Sequence, residues 1–147
     1  IDAAMRDYGF RMGPFEAQDL GGLDIAFLQR EGARAEGKQV PETLGDILVR
    51  AGRKGQKAGG GWYDYAPGSR TPIVSDTVHA LLRARITNSS RLSLEAIADL
   101  LVKAMADEGR AILAEGIAEK PADIDLVEIH GYGFPRHKGG PMFESDG

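Results

Sequence analysis

Residues 93–116 read Ser93-Leu94-Glu95-Ala96-Ile97-Ala98-Asp99-Leu100-Leu101-Val102-Lys103-Ala104-Met105-Ala106-Asp107-Glu108-Gly109-Arg110-Ala111-Ile112-Leu113-Ala114-Glu115-Gly116. Leu94, Ile97, Leu101, Met105, Ile112 and Leu113, with Ile117 just beyond, recur at the spacing of one helical face. Ser93 is placed to cap the helix start, and Gly116 to let the chain leave it. Ala104, Gly109, Ala111 and Ala114 lie among the large residues, and small side chains there would let another helix approach closely. This is the strongest periodic signal in the chain, and it decides for an all-α fold.

The flanking segments agree. Downstream, Pro121 opens a helix with Asp123 and Asp125 in its first turn, where carboxylates favour the helix dipole, and Gly131 or Gly133 ends it. Upstream, Asn88-Ser89-Ser90 reads as a turn, and Ser75 as the N-cap of a helix carrying Val78, Leu81 and Leu82. Pro41 starts a helix with Leu44, Ile47, Leu48 and Ala51 that stops at Gly52. Asp2–Tyr8 reads as a helix tail stopped by Gly9. Gly13-Pro14 opens a helix marked by Phe15, Leu20, Leu23 and Phe27, running to Gly32 or Gly37. Residues 52–61 are rich in glycine and basic side chains. Trp62-Tyr63-Asp64-Tyr65 follows as a short extended run closed by Pro67-Gly68, and 66–73 is a connector.

The chain has 147 residues, 42% hydrophobic and 27% charged, with a formal net charge of -4. That is a globular composition, and its acidity disfavours a sequence-independent nucleic-acid binder. There is no cysteine, so no disulfide and no thiolate chemistry, which suits a reducing cytoplasm. No apolar run approaches the roughly 20 residues that span a bilayer, and no secretory leader opens the chain.

An internal repeat organises the whole. Ile1-Asp2, Gly9-Phe10, Gly13-Pro14-Phe15-Glu16 and Asp19 recur in order as Ile124-Asp125, Gly133-Phe134, Gly140-Pro141, Phe143-Glu144 and Asp146. Each copy is a helix, a glycine stop, a short loop, and a Gly-Pro opening of the next helix. The second copy is preceded by the long helix of 93–118; the first has none before it and no initiator Met, so the chain is expected to begin inside its own first copy. The halves are drawn at 1–70 and 71–147, packed as one bundle around the long helix.

These residues resemble a known family. Ile1-Asp2 through Tyr8-Gly9-Phe10-Arg11-Met12-Gly13-Pro14-Phe15-Glu16, with Asp19-Leu20-Gly21-Gly22-Leu23-Asp24, resembles the C-terminal domain of 3-hydroxyacyl-CoA dehydrogenases. Arg53-Lys54-Gly55-Gln56-Lys57 with Gly59-Gly60-Gly61-Trp62-Tyr63-Asp64-Tyr65 is similar to that domain's closing segment. Glu115-Gly116-Ile117, Pro121, Asp123-Ile124-Asp125, Gly131-Tyr132-Gly133-Phe134-Pro135-Arg136 and Gly139-Gly140-Pro141-Met142 resemble the second copy found in multifunctional β-oxidation enzymes. A 6-phosphogluconate-dehydrogenase-like helical domain with another substrate is the related alternative.

The resemblance implies an NAD-dependent oxidoreductase of fatty-acid β-oxidation acting on acyl-CoA. Its histidine–carboxylate pair and NAD site would sit on a Rossmann domain upstream in the same chain. No catalytic residue is assigned here: the family's histidine, carboxylate and supporting asparagine all fall before Ile1. The position matching that asparagine in the second copy falls near Asp99, which donates no amide hydrogen bond, so the second copy reads as non-catalytic. His79, His130 and His137 have no partners at metal-ligand spacing and read as solvated or structural. Gly55 to Gly61 lacks the G-x-G-x-x-G spacing.

Two ligand candidates remain. Met12, Gly13, Pro14 and Phe15 would lie, by resemblance, near the cleft between the two domains and wall the acyl pocket; the plain alternative is core packing. Arg53, Lys54 and Lys57 could meet a CoA phosphate, or could be a solvated loop. Trp62, Tyr63 and Tyr65 are read as anchoring to the core rather than stacking on adenine. The competing function is a non-catalytic helical module for assembly, its apolar surfaces admitting a homo-oligomer. The isolated chain is expected to bind NAD poorly and to turn over nothing.

Overall fold

The computed structural model describes residues 1–87 and 91–146; the turn read at Asn88-Ser89-Ser90 lies outside them. Among the described residues the fold is all-α: α1 (Asp2–Tyr8), α2 (Pro14–Gly21), α3 (Leu23–Ala35), α4 (Leu44–Arg50), α5 (Asp76–Arg83), α6 (Leu94–Ala114), α7 (Pro121–Gly131) and α8 (Pro141–Asp146), with 3-10 turns at Gln56–Ala58 and Arg136–Lys138. The expected extended segment is limited to isolated bridges, Gly55 with Gly60, Gly60 with Asp64, and Asp64 with Ile73.

The chain forms two compact units: Ile1–Gly13 together with Arg91–Gly147, and Pro14–Ser90. This partition differs from the 1–70 and 71–147 halves in the sequence. α1 packs on α6, and α5 packs on α4. Met5 of α1 is buried with Ala98, Val102 and Phe134, so burial of apolar surface groups α1 with the last third of the chain.

In the discontinuous unit the core lies on a line of small residues. Ala98, Val102, Ala106 and Gly109 are buried along α6, at spacings of four, four and three. Leu94 and Ile117 stay largely exposed, while Leu101, Met105, Ile112 and Leu113 flank the buried line. The large-residue stripe is therefore displaced from the centre of the interface. Small residues occupy that centre because helices sit close: a Cβ at Gly109 would run into the Met142 sulfur and lie 3.5 Å from Ile124. At the far end of α6, Tyr8, Phe10 and Phe134 cluster, with Phe10 and Phe134 edge to face at 5.4 Å. Gly9 (φ +128) passes against Pro135, where a side chain would clash. Ser93 caps α6 as expected, accepting from Ala96 N at 3.1 Å.

In the other unit, Leu23, Leu48, Val49, Val78 and Leu82 form the core, with Phe27, Ile47, Trp62 and Leu81 against it. The single helix expected from Gly13-Pro14 to Gly32 is two. The chain turns at Gly22 (φ +96), and Leu23 N donates to Lys54 O at 2.9 Å instead of continuing the helical ladder. α3 then runs through Gly32 to Ala35. α4 begins at Leu44 rather than Pro41, because Thr43 and Asp46 form a capping box: Thr43 Oγ1 accepts from Asp46 N, and Asp46 Oδ2 accepts from Thr43 N, both at 3.2 Å. Ser75 caps α5 as expected.

Candidate functional site

The glycine-rich loop is built around two charged residues. Asp19 on α2 is 1% exposed and accepts from Trp62 N at 2.8 Å, Tyr63 N at 3.0 Å and the Tyr65 hydroxyl at 3.0 Å. Gly61 and Gly55 lie so close to Asp19 that a Cβ on either would collide with it. Burial pushes the Asp19 carboxyl above its ordinary range, against the three donors and Arg53, which favour the charged form. Arg53 closes the loop from within: Nε donates to Gly61 O at 2.8 Å, and Nη2 to Tyr63 O at 3.0 Å and Asp64 Oδ1 at 2.5 Å. Trp62 stacks on Phe15 at 4.2 Å and donates from Nε1 to Gln18 Oε1 at 3.0 Å.

Of the three basic candidates, Arg53 is thus engaged in building its own loop. Lys54 and Lys57 are exposed. Lys57 lines an open cavity of about 490 Å³, together with Gln56, Tyr65, Ser69 and Arg70. Nothing in the sequence pattern links Arg70 to Lys57; a connector residue thirteen positions on joins the same cavity because the Asp64–Ile73 bridge folds the connector back.

The Met12–Phe15 segment spans the boundary between the units. Met12 is 40% exposed, Gly13 is buried, and Phe15 is half-buried against Trp62. A Cβ on Gly13 would overlap Asp2, a carboxylate only 3% exposed; a Cβ on Gly140 would overlap Asp125, 8% exposed. Asp125 accepts from Met142 N at 2.8 Å and Phe143 N at 3.2 Å, holding the start of α8. The two Gly-Pro junctions therefore each press a glycine against the aspartate of an Ile-Asp pair, at the start of α1 and inside α7, where Asp123 alone, and not Asp125 as expected, occupies the first turn.

Elsewhere in the discontinuous unit, Tyr8, Asp99, Lys103, Arg110 and Glu144 line a cavity of about 410 Å³. Burial, then the charges of Glu144 and Asp99, push the Tyr8 hydroxyl up to about 12. Lys138 lies 4.2 Å over the Tyr8 ring. His79, His130 and His137 are all exposed. Among the described residues no cluster of His, Asp and Glu is arranged to hold a metal ion, and no helix is long and apolar enough to cross a membrane. The glycines of 55–61 do not form a dinucleotide-binding turn: they close onto Asp19 and Arg53, and an aromatic run, not a helix, follows them.

Residues 1–65 match the model of the family described as "3-hydroxyacyl-CoA dehydrogenase, C-terminal domain". The chain is 37% identical to the peroxisomal bifunctional enzyme of Homo sapiens, with 97% of this chain aligned to 22% of that protein. It is also 37% identical to the fatty acid oxidation complex subunit alpha of Vibrio vulnificus, over 97% of this chain and 20% of that protein. The dehydrogenase part of multifunctional enzyme 1 from C. elegans superposes with a TM-score of 0.68 at 26% identity, covering 95% of this chain and 32% of that one. The chain thus spans about a fifth of the length of the curated relatives it matches.

Proposed function

We propose that the chain is the helical, substrate-cleft part of an NAD-dependent 3-hydroxyacyl-CoA dehydrogenase of fatty-acid β-oxidation. It works with a nucleotide domain that precedes it in the same protein. One observation carries this reading: nearly the whole chain, beyond the 1–65 family match, aligns with multifunctional fatty-acid oxidation enzymes and superposes on a dehydrogenase part. In this reading hydride transfer to NAD is assigned to the upstream domain. When bound there, NAD would supply the hydride acceptor; this chain's residues would bind, orient and shield the acyl-CoA. Met12, Gly13, Pro14 and Phe15 are proposed to wall the acyl group, with Phe15 held in place by its Trp62 stack.

The two aspartate–glycine junctions support reading the chain as tandem copies, divided in sequence near residue 70. The second copy, with Asp99 where the supporting asparagine is expected, serves packing rather than chemistry. The reducing, aqueous setting proposed from the lack of cysteine is the cytoplasm. The first-named relative, by its own name, works in the peroxisome.

The test is made in two parts. The 147-residue chain, given 3-hydroxybutyryl-CoA and NAD, should produce no NADH; turnover would overturn the division of labour. In the parent enzyme, Met12→Ala and Phe15→Ala should lower kcat/KM on acyl-CoA with oligomer size unchanged. Dissociation on a sizing column would instead support the second reading, an assembly module. That reading is favoured by the exposed Ile25 and Leu28 on α3, an apolar face open to a homo-oligomeric partner.

A further inference from the structure

Lys57 and Arg70 stand out from most cations of their unit. Arg30, Arg34, Arg50 and Arg85 each reach a carboxylate. Among the described residues neither Lys57 nor Arg70 has a carboxylate within ion-pair distance, yet both line the same 490 Å³ cavity. No acidic residue is among the residues that line it. Asp19 lies behind the Tyr65 hydroxyl with three donors on it, and Glu16 also acts on that hydroxyl through its charge. In a chain with more acids than bases, two unneutralised cations on one acid-free cavity form a local anion-attracting field.

The rest of the lining narrows the anion. Ser69 Oγ accepts from Thr71 N at 3.1 Å, which leaves its proton free to donate to an oxyanion. The Gln56 amide adds a further donor. Leu20, Tyr65 and Pro67 provide apolar surface, and the Tyr65 ring is immobilised by its hydroxyl bond to Asp19. Cations beside a fixed aromatic ring suit an anionic phosphoryl group attached to a flat heterocycle.

We propose that this cavity holds the phosphorylated nucleotide end of a CoA-type ligand, with Lys57 and Arg70 on the phosphates and Tyr65 beside the base. The identity of the ligand rests on the acyl-CoA reading above; the presence of a phosphate site does not.

Titration calorimetry on the 147-residue chain tests it, with CoA, dephospho-CoA, pantetheine and inorganic phosphate as probes. CoA should bind, pantetheine should not, and inorganic phosphate should bind more weakly than CoA. Lys57→Gln and Arg70→Gln should each weaken CoA on the order of tenfold, since each removes a charge-assisted contact. Both should keep the parent circular-dichroism spectrum, and Lys38→Gln, on an exposed pair with Glu36, should bind as the parent does. Raising salt should weaken CoA and leave the fold intact. Pantetheine binding as well as CoA, phosphate matching CoA, or CoA affinity unchanged in both variants would each overturn the assignment. So would the absence of CoA binding at about 1 mM, a few kcal/mol of affinity. Those failures would leave the dehydrogenase reading standing, because that reading is judged by turnover in the parent enzyme. Loss of turnover function there would leave a measured phosphate site in place.

Discussion

Asp46 is fully buried, and its carboxylate takes Arg30 Nε at 2.8 Å, Arg34 Nη2 at 2.9 Å and Thr43 N at 3.2 Å. Burial alone would raise its pKa, but Arg30, Arg34 and Thr43 outweigh that and hold it well below the usual carboxylate range. A carboxyl depressed in the folded state adds stability above its unfolded pKa, about 4, and loses it as pH falls through the folded value. Asp19 has the opposite sign: with its folded pKa raised, its contribution falls as pH rises through the unfolded value and levels off above the folded one. Asp46→Asn should therefore flatten the fall of the urea midpoint on acidification below pH ~4, where Asp46 is the dominant depressed group of its unit. Asp46→Ala should cost about 3 kcal/mol in urea unfolding at neutral pH, since it takes from Arg30 the carboxylate it pairs with, while Arg34 keeps Glu31 and the carbonyls of Val40 and Pro41. Asp19→Ala orphans two backbone donors and a hydroxyl, and should cost roughly 2–4 kcal/mol with a shift in Trp62 fluorescence. At this scale the sequence was partly readable. Asp19 stood out as a repeat landmark, but its grip on residues 43 and more positions away leaves no local trace. Arg53 looked like a free cation because a loop that wraps its own arginine has the same composition as a basic patch.

At the scale of elements, the long helix shows what periodicity conveys and what it hides. Leu94 to Ile117 announce a helix, and Ser93 and Gly116 its ends, with little dependence on context. Which face is innermost depends on how near the neighbour comes, and that is set by Gly109 and Ala106 rather than by the leucines. The break at Gly22 was similarly hidden, because it is imposed by Leu23 N reaching the carbonyl of Lys54 across the unit. α8 is short, and its start depends on Asp125. Asp125→Ala should cost about 1–3 kcal/mol and speed amide exchange at Met142 and Phe143 ahead of the rest of the unit. Gly140→Ala places a side chain at φ +113 against the same carboxylate and should cost about 2 kcal/mol or more. If Gly140→Ala were neutral in thermal unfolding, the close approach of the Gly-Pro junction to Asp125 would be wrong.

For the whole molecule, the resemblance to dehydrogenase C-terminal domains was readable from three ordered motifs, and the all-α class from helical period and caps. The partition was not, because a repeat in sequence records ancestry of segments while a compact unit records which apolar surfaces meet. Asp46 and Asp125 lie in different units and share no partner. The double variant Asp46→Asn with Asp125→Ala should therefore lose stability as the sum of the singles within about 0.5 kcal/mol. A larger discrepancy in denaturant titrations would reveal coupling between the units.

The contact of Met5 and Phe10 with Phe134 has a temporal consequence. During synthesis the middle stretch can find all its core partners while the ribosome is still making α6. The opening segment must wait, its apolar side chains uncovered, until more than a hundred further residues have emerged. Chaperone engagement should therefore track the exposed α1 and end when Phe134 and its near successors have cleared the exit tunnel.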